Sequence, residues 1–312
     1  MRKKRGTISV IIPVYNEEDN VVNIYKKVRE QLKNHGYEFI FVNDGSVDNT
    51  QKVVEKISSR DKNVKLINLS KNFGHQIAIT CGLDYTIGDA IIIMDADMQD
   101  PPQLIPKMIS FWEKGYDVVY GVRVSRNSDG LIKKTTAVIF YKIFAKFSGT
   151  QIPANVGDFR LISKSVVLTL RQTREYQRFL RGIISWVGFK QIGLEYKRPK
   201  RYAGASKYTN GKMIKLALDA ILSFSFFPLR IASLLGLATA IGAIVFIFYA
   251  LYVQSIGQTV RGWSSTIVLI LFLGSIQLVA IGIIGEYMGR IYEEVKKRPL
   301  YIIKSTKGVK SH

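Results

Sequence analysis

Two carboxylates and an amide follow one apolar run of this chain. The run Ile91 to Met94 has the composition of a buried strand, and Asp95, Asp97 and Gln99 come directly after it. In an open α/β sheet, ligands bind beyond the carboxyl ends of the strands. Oxygen ligands placed there suit one hard cation, which can in turn bind the phosphates of a nucleotide. The spacing therefore predicts a site for a divalent metal and a phosphate group.

Residues 8 to 121 alternate strand-like with helix-like segments. Five short runs rich in valine and isoleucine are predicted as buried parallel strands: Ile8 to Val14, Phe39 to Val42, Val64 to Leu69, Ala90 to Met94 and Asp117 to Tyr120. The pattern predicts an α/β fold with a mostly parallel sheet covered by helices on both faces. The sequence has neither the glycine-rich dinucleotide fingerprint nor a P-loop, which disfavours ordinary dinucleotide binding and P-loop phosphate binding.

Polar residues also follow the first and second predicted strands. Tyr15 and Glu17 come after the first, and Asn43 and Asp44 come after the second. Such residue types also form turns and helix caps, and for residues 48 to 50 we accept that explanation. It is weaker for the two aspartates after the fourth strand, because neighbouring carboxylates repel each other unless a cation or donors compensate. We expect all three clusters to rim one crevice.

The composition points to a membrane. Residues 231–253 and 263–285 contain no Asp, Glu, Lys or Arg, and each forms a helix of roughly 34 Å, long enough to span a bilayer. Lysines and arginines flank the pair, whereas the linker carries only Arg261, so the positive-inside rule predicts that both termini are cytoplasmic. The net charge of +21 and isoelectric point near 9.9 then fit lipid headgroups and phosphate better than nucleic acid.

Three further features carry smaller predictions. The basic N-terminus resembles a secretory signal, but Pro13 and the polar residues after it cut the apolar core short, so we expect no cleavage. The single cysteine, Cys81, excludes an intramolecular disulfide, which agrees with a reducing cytosol, and we expect it in the core. The three histidines lack the spacing of a metal site and are assigned no catalytic role: His35, His75 and His312.

Residues 131–147 and 211–228 are amphipathic segments with lysines beside an apolar stripe. A core-facing helix has the same pattern. Because the pattern occurs twice, and the second segment runs into a predicted span, we favour helices that lie on the inner leaflet.

Four motifs in this order resemble those of inverting family 2 glycosyltransferases of GT-A fold. They are IIPVYNEE at residues 11–18, VNDGSVD at 42–48, NFG at 72–74 and DADMQDPP at 95–102. The later GDFRL at 157–161, the R-x-x-G-x-SKY pattern at 201–208 and the double span make the chain similar to polyisoprenyl-phosphate glycosyltransferases. That group includes dolichyl-phosphate mannose synthases and bacterial undecaprenyl-phosphate glucosyltransferases.

The resemblance implies roles for particular residues. A nucleotide sugar would contact Pro13, Tyr15, Glu17, Asp44, Gln76, Asp95 and Ala96, and Mg²⁺ or Mn²⁺ would be held by Asp95, Asp97 and Gln99. Asn43 departs from the resemblance, since many members have a second Asp there, which leaves the identity of the base open. Among the catalytic candidates, Asp97 acts through the metal and Asp158 is nominated as the base.

The implied acceptor is a lipid phosphate, which is already largely ionised near neutral pH and hardly needs a base. We therefore interpret Asp158 as orienting the acceptor, or stabilising an oxocarbenium-like sugar, at least as much as removing a proton. A simple pairing with Arg160 is the alternative. Two anionic substrates also require cations, and the candidates for the acceptor and diphosphate are Arg123, Lys133, Lys134, Arg201 and Lys207.

These observations predict four segments. Residues 1–210 form a cytoplasmic GT-A catalytic domain, 211–228 the second interfacial helix, 229–290 the two spans, and 291–312 a basic cytoplasmic tail. Small residues four apart on each span, Gly236 and Ala240 on one and Gly285 and Gly289 on the other, predict close helix packing within or between subunits, and so a homo-oligomer is open.

The leading hypothesis is an inverting transfer of one hexose, glucose from UDP-glucose, to undecaprenyl or another polyprenyl phosphate at the inner membrane. GDP-mannose or a UDP-amino sugar are alternative donors. A processive synthase is disfavoured because residues 177–181 do not supply Gln-x-x-Arg-Trp. A silent membrane scaffold or flippase partner is the alternative from another class, and the intact Asp95, Asp97 and Asp158 argue against it. A nucleic-acid binder would leave both spans unexplained.

Overall fold

The computed structural model describes residues 6–124, 156–197, 227–257 and 262–309. The chain forms two compact units, one made of Met1–Ala217 with Pro299–His312 and the other of Leu218–Arg298. The first unit contains the sheet, and the second contains two long apolar helices. The sheet unit is therefore built from chain on both sides of the helical pair.

One sheet of eight strands lies at the centre of the first unit. Its order is β7-β5-β6-β4-β1-β2-β3-β8, and the strands are β1 (Ile8–Val14), β2 (Tyr37–Asn43), β3 (Val64–Leu69), β4 (Ala90–Ile93), β5 (Val118–Arg123), β6 (Val156–Ser163), β7 (Gln191–Tyr196) and β8 (Ile303–Lys307). The pairs β1–β2, β1–β4, β2–β3 and β5–β7 are parallel, whereas β6 runs antiparallel to β4 and β5, and β8 runs antiparallel to β3. The predicted α/β class with a mostly parallel sheet is confirmed, and β6, β7 and β8 are additions to the predicted strands.

In the described part of the sheet unit, six α-helices accompany the sheet: α1 (Val21–Gln31), α2 (Thr50–Ser58), α3 (His75–Tyr85), α4 (Ile105–Glu113), α5 (Lys164–Gln172) and α6 (Leu180–Trp186). Alternate residues of β2 point to opposite faces. Phe39 and Phe41 join the core cluster that contains α1, while Ile40 packs in a second cluster with Ala78 and Cys81 of α3. Both faces of the sheet are thus covered, as continuous apolar strands require.

Gly82 brings α3 close to the sheet. A methyl group on this residue would lie 2.5 Å from Cγ2 of Ile11 in β1. A larger residue would push the helix away from the strand, because packed interiors have no room for the extra atoms. The close approach fixes the helix that carries His75 and Gln76 at its start.

The segment after Arg298 differs from the predicted basic tail. Residues Ile303–Lys307 form β8 along the edge of β3, the Tyr301 hydroxyl donates to Asp84 Oδ2 at 2.7 Å, and Lys307 Nζ donates to the carbonyl of Glu55 at 3.0 Å. The strand escaped prediction because four of its five residues are exposed. An edge strand of this kind has no apolar alternation to reveal it.

The described residues of the second unit include two long helices, α7 (Phe227–Ser255) and α8 (Trp263–Lys296). By length and composition, Pro228–Val253 and Val268–Val295 are each able to cross a membrane. Many large apolar side chains of both helices remain exposed, among them Leu237, Phe248, Leu271 and Leu278. An apolar surface of this extent marks a membrane or partner site and agrees with membrane association.

The glycines of these helices do not line a tight contact between them. A methyl group on Gly236, Gly285 or Gly289 would meet no atom within 4 Å in the described part of the chain. Of the two predicted kinds of close packing, the one between subunits stays a prediction. The predicted helix at 131–147, and most of the one at 211–228, lie outside the described residues and also stay predictions.

The anchoring of the C-terminal strand is testable through Tyr301. In Tyr301→Phe the hydrogen bond to Asp84 is lost, at a cost of about 1 kcal/mol. The expected thermal midpoint of the full-length protein in detergent is lower by roughly 2–4 °C. The control is Tyr292→Phe, because the Tyr292 side chain is exposed on α8. Equal midpoints for the two variants would contradict a structural role for this segment.

Candidate active site

The polar clusters predicted at the strand ends meet at one edge of the sheet. β1, β2 and β4 are parallel neighbours, so their carboxyl ends lie together. β6 runs antiparallel to β4 and begins at this edge, with Ile93 paired to Arg160. Asp95 comes two residues after Ile93, and Asp158 comes two residues before Arg160. Because the strands are antiparallel, both aspartates lie on the same side of this pair. The register therefore brings a predicted metal ligand beside the predicted catalytic carboxylate.

Asp158 is buried and bound by donors from two helices. Both of its oxygens accept from the guanidinium of Arg181 in α6, at 2.8 and 2.9 Å, and Gln76 Nε2 in α3 donates to Oδ2 at 3.2 Å. Gln76 in turn accepts the backbone N–H of Leu180 at 3.2 Å. Burial favours the neutral acid, but the charge and hydrogen bonds of Arg181, with those of His75, hold the pKa of Asp158 well below its usual range. The carboxylate stays ionised and is a poor base.

The alternative pairing of Asp158 with Arg160 is not the arrangement found. Arg160 Nη2 donates to the carbonyl of Gly157 at 2.8 Å, and burial lowers the pKa of Arg160 to about 10. Arg181, and not Arg160, is the arginine that pairs with Asp158. It lies in the segment 177–181, which lacks the Gln-x-x-Arg-Trp motif of processive synthases.

His75 lies between the two halves of the site. Its Nε2 is 3.4 Å from Asp95 Oδ1 and 3.4 Å from Asp158 Oδ2. Burial lowers the pKa of His75, but the charges of Asp95 and Asp158 outweigh it and raise the pKa to about 9. The sequence analysis assigned this histidine no catalytic role. The only signal in the sequence was its position directly after the motif at 72–74.

Asp95 has a buried oxygen suited to a cation. Among the described residues, Oδ1 has no hydrogen-bond partner. Burial raises the pKa of Asp95, and the charges of Asp158 and Asp97 add to the effect of burial, while His75 opposes it. Met98 has a φ of 62°, so the loop turns back on itself in a conformation that non-glycine residues rarely adopt. Asp97 Oδ1 accepts the backbone N–H of Gln99 at 3.1 Å across this turn.

The described side chains supply some, but not all, of the ligands that a hard divalent cation needs. Within the described ranges, no three His, Cys, Asp or Glu side chains are grouped to hold a metal ion. Mg²⁺ is, however, usually held by one or two carboxylates together with substrate phosphates and water. Asp95, whose buried Oδ1 accepts no hydrogen bond among the described residues and lies 3.4 Å from His75 Nε2, and Asp97 fit that pattern of ligation.

Asp44, one of the predicted nucleotide residues, joins two loops at the crevice. Its oxygens accept the backbone N–H groups of Phe73 and Gly74, at 2.7 and 3.0 Å. Burial raises the pKa of Asp44, and these two hydrogen bonds oppose the rise. Gly45 must be glycine, since its φ is 71° and a methyl group would lie 2.6 Å from the backbone nitrogen of Asn72. The loops after β2 and β3 are thereby joined, and α3 starts at the crevice.

The remaining predicted nucleotide residues lie around this loop. Pro13 is buried in β1 opposite Val42, Ala96 is buried, and Tyr15 is 36% exposed. Glu17 accepts a hydrogen bond from Asn20 Nδ2 at 2.6 Å at the start of α1. Tyr15 is thus the exposed member of this set.

Asn43, where the sequence departs from the resemblance, uses both ends of its amide. Its oxygen accepts the backbone N–H of Ser46 at 3.1 Å, and its nitrogen donates to Asn68 Oδ1 at 2.9 Å. A carboxylate cannot donate that second bond. Asn68 donates in turn to Ser305 Oγ at 2.9 Å, so the amide links the crevice to β3 and β8.

Arg123 is the predicted phosphate-binding cation that the structure describes. It ends β5 at the same edge, beside Asp100 and Tyr196. Burial and the charge of Asp95 raise the pKa of Asp100 to about 6. The other four predicted cations, Lys133, Lys134, Arg201 and Lys207, lie outside the described residues.

Comparison with known proteins gives the family. Residues 9–171 match the family model described as glycosyl transferase family 2. The chain is 45% identical over 305 residues to the prophage bactoprenol glucosyl transferase homolog of Escherichia coli (strain K12), covering 96% of this chain and 99% of that protein. Identity and coverage are the same for the bactoprenol glucosyl transferase of Shigella phage SfX. An uncharacterised glycosyltransferase of Bacillus subtilis is 44% identical over 97% of this chain and 95% of its own.

Likeness to solved structures is weaker. Glucosyl-3-phosphoglycerate synthase from Mycobacterium tuberculosis covers 70% of this chain and 80% of its own, with 17% identity and a TM-score of 0.47. The sequence matches, which extend over nearly the whole chain, decide the question. This chain belongs to glycosyltransferase family 2, as the order of its motifs predicted, and is a transferase.

Proposed function

We propose that this enzyme transfers glucose from UDP-glucose to a polyprenyl phosphate such as undecaprenyl phosphate, with inversion at the sugar. Two of its relatives carry the name bactoprenol glucosyl transferase and align over nearly the whole chain. The observation that carries the proposal is that the register of β4 and β6 sets Asp95 beside Asp158. Asp95, which would bind the donor diphosphate through the metal, then lies beside Asp158, which would face the sugar.

The nucleotide would bind along the loop whose backbone N–H groups Asp44 accepts. The ring of Tyr15 is exposed enough to stack on a base, and Pro13, Glu17 and Gln76 complete the predicted set. Because Asp44 already accepts two backbone N–H groups, its contribution includes fixing the shape of the pocket. Asn43 departs from the Asp that many family members have at this position, and GDP-mannose or a UDP-amino sugar are the alternative donors.

Asp95 and Asp97, with the amide of Gln99, would hold Mg²⁺ or Mn²⁺. When bound, the ion neutralises the charge that grows on the nucleoside diphosphate as it leaves. The Oδ1 oxygen of Asp95 is buried and accepts no hydrogen bond among the described residues, which supports this assignment. His75 Nε2 lies 3.4 Å from that same oxygen and 3.4 Å from Asp158 Oδ2, between the two carboxylates.

Asp158 would stabilise the sugar rather than take a proton. Its oxygens are already bound by Arg181 and Gln76, and its pKa lies well below the usual range. A lipid phosphate has a second pKa of about 6 and attacks as a dianion near neutral pH. A fixed negative charge beside the anomeric carbon stabilises the positive charge that develops there. Attack from the face opposite the diphosphate inverts an α-linked donor to a β-linked product.

The acceptor would come from the bilayer. We propose that α7 and α8 span the inner membrane with both termini in the cytoplasm, and that residues 131–147 and 211–228 lie on the inner leaflet. Arg123, Lys133, Lys134, Arg201 and Lys207 are the proposed cations for the two phosphate-bearing substrates. Association of subunits through the spans is part of the same proposal.

The direct test uses membranes that contain the full-length protein. These are incubated with radiolabelled UDP-glucose, undecaprenyl phosphate and Mg²⁺ or Mn²⁺, and label is measured in the organic phase. Release of the product by mild acid, and its β linkage by NMR, identify the lipid-phosphate sugar. Absence of transfer from UDP-glucose, GDP-mannose and UDP-amino sugars alike would favour a silent membrane scaffold.

Metal dependence is tested with Asp97→Ala. Loss of one carboxylate ligand and addition of EDTA should each reduce transfer by about 10²-fold or more, and excess Mn²⁺ should restore the chelated wild type but not the variant. The control is Asp61→Ala, because Asp61 binds Tyr25 and Tyr37 on another part of the surface. Full transfer by Asp97→Ala would remove this residue from the metal site.

The role of Asp158 is tested with Asp158→Asn. We expect a fall in kcat on the order of 10²-fold or more, because the fixed charge beside the sugar is lost. UDP affinity should stay within about twofold, since Asp158 is not proposed to bind the nucleotide.

The matched control for Asp158 is Asp84→Asn. Asp84 makes the same two-pronged pair, with Arg174 at 2.9 and 2.9 Å. It should lower thermal stability and leave kcat close to that of the wild type. An Asp158→Asn variant with normal kcat would exclude this residue from catalysis.

A further inference from the structure

Arg123, Tyr196 and Asp100, the last of them within the motif at 95–102, form a connected polar group at the carboxyl ends of β5 and β7. Arg123 and Tyr196 are partners in the parallel register of these strands. Arg123 Nε donates to the Tyr196 hydroxyl at 3.2 Å, and that hydroxyl donates to Asp100 Oδ1 at 2.7 Å. Arg123 Nη2 lies 3.8 Å from the same oxygen of Asp100. The hydroxyl of Tyr196 thus connects the arginine to the carboxylate.

The arginine is confined on its other side by Gly157. A methyl group on Gly157 would lie 2.9 Å from Cζ of Arg123, so the guanidinium rests against the backbone next to Asp158. The Tyr196 ring is confined in the same way, since a methyl group on Gly121 would lie 2.7 Å from its Cε1. Arginine side chains ordinarily sample many rotamers. Here the surroundings leave little room for that freedom.

The guanidinium nevertheless keeps a face for another anion. Its side chain is 27% exposed, whereas that of Asp100 is 1% exposed. In the described part of the chain, the bond to Tyr196 is the only hydrogen bond that the guanidinium of Arg123 donates. Asp100 Oδ2 has no hydrogen-bond partner among the described residues, so Tyr196 is the donor on which the Asp100 carboxylate depends. Arginine is suited to planar recognition of phosphate once it is held in place.

We propose that Tyr196 and Asp100 are positioning residues that hold the guanidinium of Arg123 beside Gly157, where it binds a substrate phosphate. This inference rests on the proposed function, in which both substrates carry phosphate. The phosphate is that of the lipid acceptor or that of the donor diphosphate. Asp100 directly follows the loop of Asp95, Asp97 and Gln99, so the group also ties the position of Arg123 to that loop.

The test compares Tyr196→Phe with the wild type in the full-length protein in detergent. Removal of one hydroxyl leaves the ring in place and frees the arginine, so we expect phosphate affinity to fall roughly tenfold. Binding of undecaprenyl phosphate without donor, and of UDP with Mn²⁺ without acceptor, are measured directly, and KM and kcat follow from transfer assays. A weaker Kd and higher KM for the lipid identify the acceptor phosphate. The same change for UDP and UDP-glucose identifies the donor diphosphate.

A matched control separates positioning from folding. Tyr25→Phe removes a hydroxyl that donates to Asp61 at 2.7 Å, the same length as the bond from Tyr196 to Asp100, and should leave both affinities unchanged. Asp100→Asn should resemble Tyr196→Phe, because the neutral amide holds the hydroxyl less strongly. In the double variant with Arg123→Gln, Tyr196→Phe should add no further loss, since its effect acts through Arg123.

Two results would overturn the inference. One is unchanged Kd and KM for both substrates in Tyr196→Phe. The other is a fall in thermal stability and kcat with unchanged affinities, which is the outcome of a purely structural role. Failure of the proposed function is distinct, because a wild type that binds undecaprenyl phosphate but transfers no sugar to it leaves the binding comparison intact.

Discussion

The arrangement of residues at the carboxyl ends of β1, β2 and β4 depends on keeping the Asp158 carboxylate charged inside the fold. Asp158 on β6 receives Arg181 from α6 and His75 and Gln76 from α3. Leaving one member of a buried ion pair without its partner costs about 3–5 kcal/mol. The two helices and the strand must therefore stay in register with one another if the charge is to be tolerated. The contacts that keep Asp158 ionised therefore also hold β6, α3 and α6 together.

The loops around that charge are held by backbone groups and unusual dihedral angles. Asp44 accepts two backbone N–H groups across the crevice. Positive φ angles occur at Asn16, Gly45, Gly74 and Met98, all close to strand ends that face the crevice. Glycine adopts such angles readily, whereas the non-glycine residues Asn16 and Met98 are strained there. Strain of this kind persists only where the surroundings determine the conformation, and it is common at sites that must be ready for a ligand. The apolar strands behind the edge provide that rigid support.

Local patterns in the sequence were sufficient for the first half of the fold. β1 to β4 are continuous apolar runs, so both their existence and their parallel arrangement were predictable. β6 was not, because its polar Asp158 and Arg160 are buried through partners that no local pattern shows. β8 was missed for the opposite reason, since most of its residues face solvent at an edge.

The candidate site was predictable where motifs preserve residue order. Asp95, Asp97, Asp44 and Asp158 were identified from such motifs, and the structure brings Asp95 and Asp158 together. His75 and Arg181 carried no such signal. His75 is recognised by its distances to Asp95 and Asp158, which lie 20 and 83 residues away in the sequence. Arg181 is recognised by its distance to Asp158, which lies 23 residues away. Sequence spacing gives none of these distances.

The path of the chain through the two units has a consequence for the order in which the enzyme is made. β8 follows both apolar helices in the chain, yet it pairs with β3 in the sheet. During synthesis the N-terminal part folds first, so the edge of β3 is open while α7 and α8 are being produced. An open strand edge is a template for pairing with other chains. Completion of the sheet therefore waits for the helical pair, and each ribosome must finish the helices before the catalytic sheet is sealed.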